Sequence, residues 1–459
     1  MMREDTRQQK FTPAVVETRD TPRFRFVVMG ALWITVFFLF LDRVNISMAA
    51  PYIMDELGLS GVEMGFILSI YYWGYLVGQL GGGVVADRFS IRKWAVVMYC
   101  FWCVLTVLTG LCRSLFQFAV VRGLFGVSEG AVANPIHKLE NHWILPHERG
   151  WVYGTTMGFG YLGLILGMPL VGWLIQTWGW RVMFYGTGVF TLLGVAVFWL
   201  LVYDHPREHP WISHAEKDLI EEAVNKDRVT YDPHQGLTRV LSFGEGVRML
   251  VANWAFWSIC VAGFFALGVF FTNLSWLPGY LVKERGFTVM SSGIYLVFPY
   301  IAAFAGALSC GYLGDRTGNR SAVGLCTGLL TVPAIVGLVL SQDVTAVIVC
   351  MSLVLFLNAA AVNTLIVLLF DLLPAEILGI AMGVFAGIFG GLGGVIGPLV
   401  LGYSLDATGS FVWGFVSLAL GILAGSCLLI PVLFYEKRIK REKLEKATLG
   451  TAAEVAATS

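Results

Sequence analysis

The chain has 459 residues, 57% apolar and 14% charged, with 31 Lys+Arg balanced by 31 Asp+Glu. Soluble chains carry about 25% charged residues, so a water-soluble multidomain protein is excluded, and zero net charge leaves no basic face for nucleic acid. The eight Cys all fall in apolar stretches, which argues against a secreted disulfide framework. The seven His have no metal-ligand spacing, so neither a metal nor a cofactor is expected.

Residues 1–26 are polar and charged, and no cleavable signal peptide is expected before the first apolar run. A bilayer core of about 30 Å takes about 20 apolar residues per helix. On that window the spans are 27–49, 62–85, 93–112, 115–137, 151–176 and 181–203, forming a first half, 27–203. A polar central loop, 204–249, follows. The second half, 250–435, holds 250–275, 290–313, 321–340, 344–370, 376–403 and 411–435, and 436–459 is a second tail. The third span carries Cys100 and Cys103 as C-F-W-C, which reads as helix packing and not as a redox pair. In the central loop, Ser213 and Glu216 have capping-box spacing and predict a short surface helix. The pattern is that of an all-α polytopic membrane protein, embedded in lipid, with six spans on each side of a linker.

With the N-terminus inside, 25 of the 31 Lys and Arg lie on cytoplasmic segments and four on outer loops. This bias places both termini in the cytoplasm. The remaining two, Arg43 and Arg122, lie inside spans. The halves also share a loop signature. Gly74-x8-Gly83-x3-Asp87-Arg88-x3-Arg92-Lys93 follows the second span, and Gly311-x3-Asp315-Arg316-x3-Arg320 follows the eighth. Repeated halves with binding near the midplane between them are a transporter architecture. Asp87, Arg88, Asp315 and Arg316 can bond nearby helix ends and hold one conformation until the halves rock, so they are gating candidates.

A charged side chain at the bilayer centre costs about 2.5–3.5 kcal/mol or more, so Asp42, Arg43, Arg122 and Glu129 need a wet cavity and partners. Arg122 and Glu129, seven apart, share a helix face. Asp42 and Arg43, being adjacent, point in different directions and need partners on other helices. The simplest pairing joins Arg43 or Arg122 to the carboxylates of Asp42 and Glu129. Arg is the natural receptor for a carboxylate. A substrate carboxylate that takes over the Arg strips Glu129 of its counterion and drives it to take up a proton.

Several motifs resemble the major facilitator superfamily and, within it, the anion:cation symporter family of bacterial organic-acid permeases, including galactonate and hexuronate transporters. These are Asp42-Arg43-Val44-Asn45-Ile46-Ser47, Tyr72-Trp73-Gly74-Tyr75, Arg122-x6-Glu129, Pro146-x-Glu148-Arg149-Gly150, Trp276-x-Pro278-x-Tyr280-Leu281 and Asp371-x2-Pro374-x-Glu376. The resemblance covers about 26 to 436. It implies twelve transmembrane helices in two six-helix bundles, alternating access, and proton-driven uptake of an organic anion. It further implies proton coupling by Asp42 and Glu129, anion contacts by Arg43 and Arg122, and a cavity lined by Tyr75. Where galactonate permeases place a Gln and an Asn for sugar hydroxyls, this chain has Gly160 and Gly391.

Tyr72, Tyr75 and Gln79 lie on one helix face and are further pocket candidates. Asn45, beside the charged pair, joins them. The second half offers neutral groups, Asn273, Asn358, Asn363 and Thr364, which compete between substrate contact and interhelical bonding. The glycines of the eleventh span suit a moving helix. The expectation is a proton-coupled symporter, functional as a monomer in the bacterial cytoplasmic (inner) membrane. It imports a small organic carboxylate, a sugar acid first and a tartrate-like or aromatic acid next. The rivals are an anion exchanger or proton-coupled exporter on the same fold, and a non-transporting sensor. No nucleophile–base pair or nucleotide loop points to an enzyme.

Overall fold

The computed structural model describes residues 23–86, 88–230 and 243–441, and among them all regular structure is helical. The first half runs α1 (Arg25–Leu57), α2 (Gly61–Ala86), α3 (Ile91–Leu111), α4 (Leu115–Trp143) and α5 (Arg149–Leu201). The central segment holds α6 (His214–Thr230) and α7 (Phe243–Ala252). The second half runs α8 (Trp254–Lys283), α9 (Val289–Tyr295), α10 (Val297–Thr317), α11 (Arg320–Leu340) and α12 (Val344–Leu372). It continues with α13 (Ala375–Met382), a π-helical stretch (Gly383–Gly390), α14 (Gly391–Thr408) and α15 (Val412–Cys427). Ten of the described helices are long and apolar enough to cross a membrane.

Local chemistry sets the helix ends. Side-chain oxygens of Ser90, Ser114, Thr288, Asn319 and Asp343 accept the first free backbone N–H groups of α3, α4, α9, α11 and α12. Left-handed Gly58, Gly318 and Gly409 close α1, α10 and α14. Several helices divide within, or run past, the spans read from the sequence. The fifth and sixth spans are two helices joined without a loop and labelled together α5, 53 residues in all. Gly179, at φ 81°, is its only non-helical residue and turns the chain between the two crossings. The eighth span is divided at Leu296 between α9 and α10, and the eleventh contains the π stretch. Helix continues to residue 441 where a tail was expected from 436.

The halves are held together unevenly. One apolar core mixes both, with Ile53, Trp180 and Phe184 among side chains such as Trp276, Tyr280 and Phe411. A second cluster is drawn almost wholly from α1–α6 and a third from the second half together with Leu250 of α7. The shared core lies toward the end of the molecule holding the α1–α2 and α8–α9 turns, called here the far face. There Asp406, on α14, accepts the backbone N–H groups of Gly61 and Val62 at the start of α2, the latter at 2.7 Å. Lys283 reaches Asp55 at 2.8 Å. A Cβ at Gly61 or Gly402 would strike the other's carbonyl oxygen, so these backbones touch. The halves therefore close on each other at the far face, and each keeps its own core at the near face.

The near face carries the central segment. Ser213 caps α6 by accepting the Glu216 N–H at 3.2 Å, as its spacing predicts. The carboxylate of Glu216, however, caps a different helix, accepting the N–H groups of Phe24 and Arg25 at 3.0 Å each. Arg25 is itself buried and forks onto Glu148 at 2.7 and 3.0 Å. Arg320, and not Arg316, carries the ion pairs, with Asp315 at 2.9 Å and Asp371 at 2.7 Å, all within one half. Arg316 donates to the Tyr312 hydroxyl, and Arg88 is exposed. Asp87 lies outside the described residues.

His209, in the turn between α5 and α6, is fully buried among the rings of Phe24, Trp143, Tyr203 and Trp211. Its Nδ1 accepts the Trp211 N–H at 3.1 Å. Burial disfavours the imidazolium and holds the pKa below its ordinary 6.5. The unfolded chain then binds a proton that the folded chain refuses, so stability holds above about pH 6.5 and falls as pH drops through it, by at most about 1.4 kcal/mol per pH unit. His209→Phe is expected to flatten that acid-side loss in thermal unfolding between pH 7.5 and 5. An unchanged slope removes His209 as its source.

Candidate anion site

α2 and α4 pack backbone to backbone through glycines on both. A Cβ at Gly74, Gly78, Gly126 or Gly130 would stand on a carbonyl oxygen of the opposite helix. This contact fixes the rotation of both helices and brings Tyr71 and Tyr75 of α2 and Glu129 of α4 to Arg43 of α1, with Arg122 beside Tyr71 and Tyr72 against Phe271 of α8.

There Arg43 donates from Nε to Glu129 Oε1 at 2.6 Å, and from Nη2 to the same oxygen. The second carboxylate oxygen, Oε2, is buried with no partner among the described residues. Arg122 is buried, with no carboxylate partner among the described residues and its Nε unpartnered. Its guanidinium lies 5.2 Å from the Tyr71 ring and 4.5 Å from that of Phe125. Arg43 lies 5.9 Å from the same ring, so both cations approach Tyr71. The Tyr71 hydroxyl is also buried and unpartnered among the described residues.

The expected double pairing of carboxylates with arginines reduces to this one ion pair. Asp42 accepts instead from neutral donors, Asn45 Nδ2 at 2.9 Å and Thr191 Oγ1 at 3.1 Å, and Asn45 also donates to Thr187 at 3.0 Å. Asn45, fully buried in that network, lines neither cavity at the site. Thr187 and Thr191 were not singled out in the sequence. Their signal, two hydroxyls four apart on one face of an apolar run, is also that of helix packing.

Two cavities share Arg43 as a wall. One, about 10 Å³ and so room for about one water, is lined by Ser47, Tyr71, Tyr72, Arg122 and Ser275 among others. The other, about 160 Å³, lies toward the near face between α1, α4 and α5 and includes Tyr75. Tyr72 and Tyr75 thus fall on different cavities. Gln79 lies beside Gly387 of the π stretch, at the contact between halves. Asn273, Asn363 and Thr364 donate to the backbone of their own helices, and Asn358 to the Ala266 carbonyl of α8. None of these four lines either cavity.

Comparison with known proteins places this geometry. A sequence model described as Major Facilitator Superfamily matches residues 32–398 and 299–457. A probable galactarate/D-glucarate transporter, GudP, of Bacillus subtilis (strain 168) is 28% identical over 442 residues, covering 90% of this chain and 94% of its own. A D-galactonate transporter of Escherichia coli O6:H1 is 28% identical over 428 residues, covering 91% and 97%. A probable sulfoacetate transporter, SauU, of Cupriavidus necator is 28% identical over 403 residues, covering 84% and 89%. Among solved structures, a bacterial homologue of the human lysosomal transporter Spinster, inward-facing and unoccupied, superposes with a TM-score of 0.71 at 18% identity, over 93% of this chain and 98% of its own. The fold is shared at that distance, and the family match runs through both halves: the chain belongs to the Major Facilitator Superfamily and is an integral membrane transport protein.

Proposed function

We propose that this protein is a proton-coupled symporter that imports a small organic carboxylate by alternating access. It works as a monomer of twelve crossings in the bacterial cytoplasmic membrane, with both termini in the cytoplasm. The observation that carries the reading is Arg122, a buried guanidinium with no carboxylate partner among the described residues, one tyrosine ring away from the Arg43–Glu129 pair. A carboxylate entering between the arginines supplies the missing anion. It competes with Glu129 for Arg43, and Glu129, left in a low-dielectric site without its counterion, takes a proton on Oε2. The guest's negative charge then replaces that of Glu129 beside Arg43 and Arg122, so loading adds no net charge to be carried through the membrane. Asp42 is the second proton-coupling candidate. The relatives are named for sugar diacids, D-galactonate and sulfoacetate. Their common feature, a small organic acid, is what carries over.

The far-face closure through Asp406, Lys283 and Asp55 supports a carrier whose halves part alternately. The gating roles of Asp87, Arg88, Asp315 and Arg316 remain part of the same proposal. Purified protein in liposomes loaded with a pH-sensitive dye tests the coupling. D-galactonate, D-glucarate and benzoate are offered outside, with protein-free liposomes subtracting passive entry. Symport predicts that an acid which enters also acidifies the lumen. Entry only into anion-preloaded liposomes, with no pH change, would make the protein an exchanger.

A further inference from the structure

We propose that the acid held at this site has an apolar, ring-sized body in place of a hydroxylated chain: an arylcarboxylate of benzoate size. The inference rests on the anion site proposed above and concerns what lies beside the carboxylate.

Arg43 is the wall between the two cavities, so a carboxylate held there and by Arg122 projects the rest of its molecule into the larger one. That cavity is walled by Leu39, Phe40, Tyr75, Tyr99, Val132 and Ile136, among others. Two of its polar side chains are already engaged. Thr35 donates to the Ala31 carbonyl at 3.0 Å, and Thr156 donates to Glu140 at 2.8 Å and accepts from Trp33 at 3.1 Å. His137, a third, pairs with Glu140 at 3.0 Å. A substrate hydroxyl placed against Leu39, Phe40, Val132 or Ile136 loses its water without gaining a partner, at a cost of about 1–3 kcal/mol each, which leaves the Tyr75 and Tyr99 hydroxyls and Arg43 as the remaining polar groups of the lining. A chain of several hydroxyls outnumbers these partners and is disfavoured.

Size points the same way. The cavity of about 160 Å³ matches the roughly 150 Å³ of an apolar protein cavity that stays dry and binds benzene. Phe40 and Tyr75 lie 4.8 and 5.5 Å from the Arg43 guanidinium and present aromatic surface next to the charge. A Cβ at Gly160 would collide with the Phe40 ring, so that ring fills the space a longer polar side chain from position 160 would use. On the other side the unpartnered Tyr71 hydroxyl lines no wall of the larger cavity but borders the smaller one, where it can donate to the carboxylate.

Thermal unfolding of the full chain in detergent, with 10 mM benzoate, D-galactonate, D-glucarate or benzyl alcohol, tests the inference. Benzoate is expected to raise the midpoint clearly above the other three. Stabilisation by the sugar acids equal to or greater than that by benzoate overturns the inference and leaves the carboxylate carrier standing. No shift with any of the three acids, or an equal shift with benzyl alcohol, overturns both. Leu39→Gln and Ile136→Gln put an amide into the apolar wall. Each is expected to weaken benzoate at least tenfold, with the unliganded midpoint reporting whether the variant folds. Full benzoate affinity in a folded variant of either kind refutes the assignment of the ring to this cavity.

Discussion

Glu129→Gln, in the full chain reconstituted in liposomes, is expected to keep exchanging labelled acid across the membrane while losing all accumulation driven by a pH gradient. Glutamine has the shape of the protonated acid, and only one oxygen of Glu129 is committed, to Arg43. The variant therefore resembles the protonated carrier and can cycle with its guest, but it has no proton to pick up or release. One pH unit corresponds to about 1.4 kcal/mol, hence about tenfold accumulation per coupled proton. The variant should show none. The measurement is counterflow against pH-driven uptake, with D-galactonate, D-glucarate or benzoate, whichever the unaltered protein carries. Accumulation that survives in the variant would move proton coupling to Asp42 or elsewhere.

Arg122→Gln should abolish binding with little harm to the fold, a combination that separates a receptor from a structural ion pair. Hydrogen bonds to charged groups contribute about 1.5–3 kcal/mol, so losing a forked contact to the substrate carboxylate should weaken binding on the order of 100-fold. Among the described residues no carboxylate loses its partner when Arg122 goes, and a costly buried charge disappears. The unliganded unfolding midpoint should hold or rise. Arg43→Gln makes the contrast, since it leaves Glu129 buried and unpaired, a defect of about 3–5 kcal/mol. Titration of both variants by thermal unfolding decides the matter. An Arg122 variant that binds within threefold of the parent, or unfolds as readily as the Arg43 variant, would reduce Arg122 to a structural role.

The four intramembrane charges are legible in the sequence because an ionised side chain in an apolar run of 20 residues is expensive wherever the helix points. Their pairing is not legible. Arg43 and Glu129 are 86 residues apart, Asp42 and Thr191 are 149 apart, and Arg25 and Glu216 are 191 apart. Nothing local distinguishes the partner chosen from those passed over. The neutral candidates show the same limit from the other side. Asn273, Asn363 and Thr364 carry the right groups at plausible depth, yet each turns its donor back onto its own helix. Sequence spacing cannot separate that rotamer from one aimed at a guest. Tyr71 has no spacing in the sequence that marks it for the site. Its place within reach of both guanidiniums depends on how α2 rotates against α4, which the glycine contacts decide.

Composition, apolar run length, capping residues and the repeated loop signature determined by themselves that this is a helical membrane protein of two related halves. Each of these acts through the covalent neighbourhood or through the thickness of a bilayer, and both can be read along the chain. Only the tertiary structure decided that the fifth and sixth spans join at one glycine, that Glu216 caps α1, and that Arg122 stands without a carboxylate among the described residues while Arg43 takes Glu129. Those outcomes depend on helix rotation and on which backbones approach closely, quantities set by packing between segments far apart in sequence.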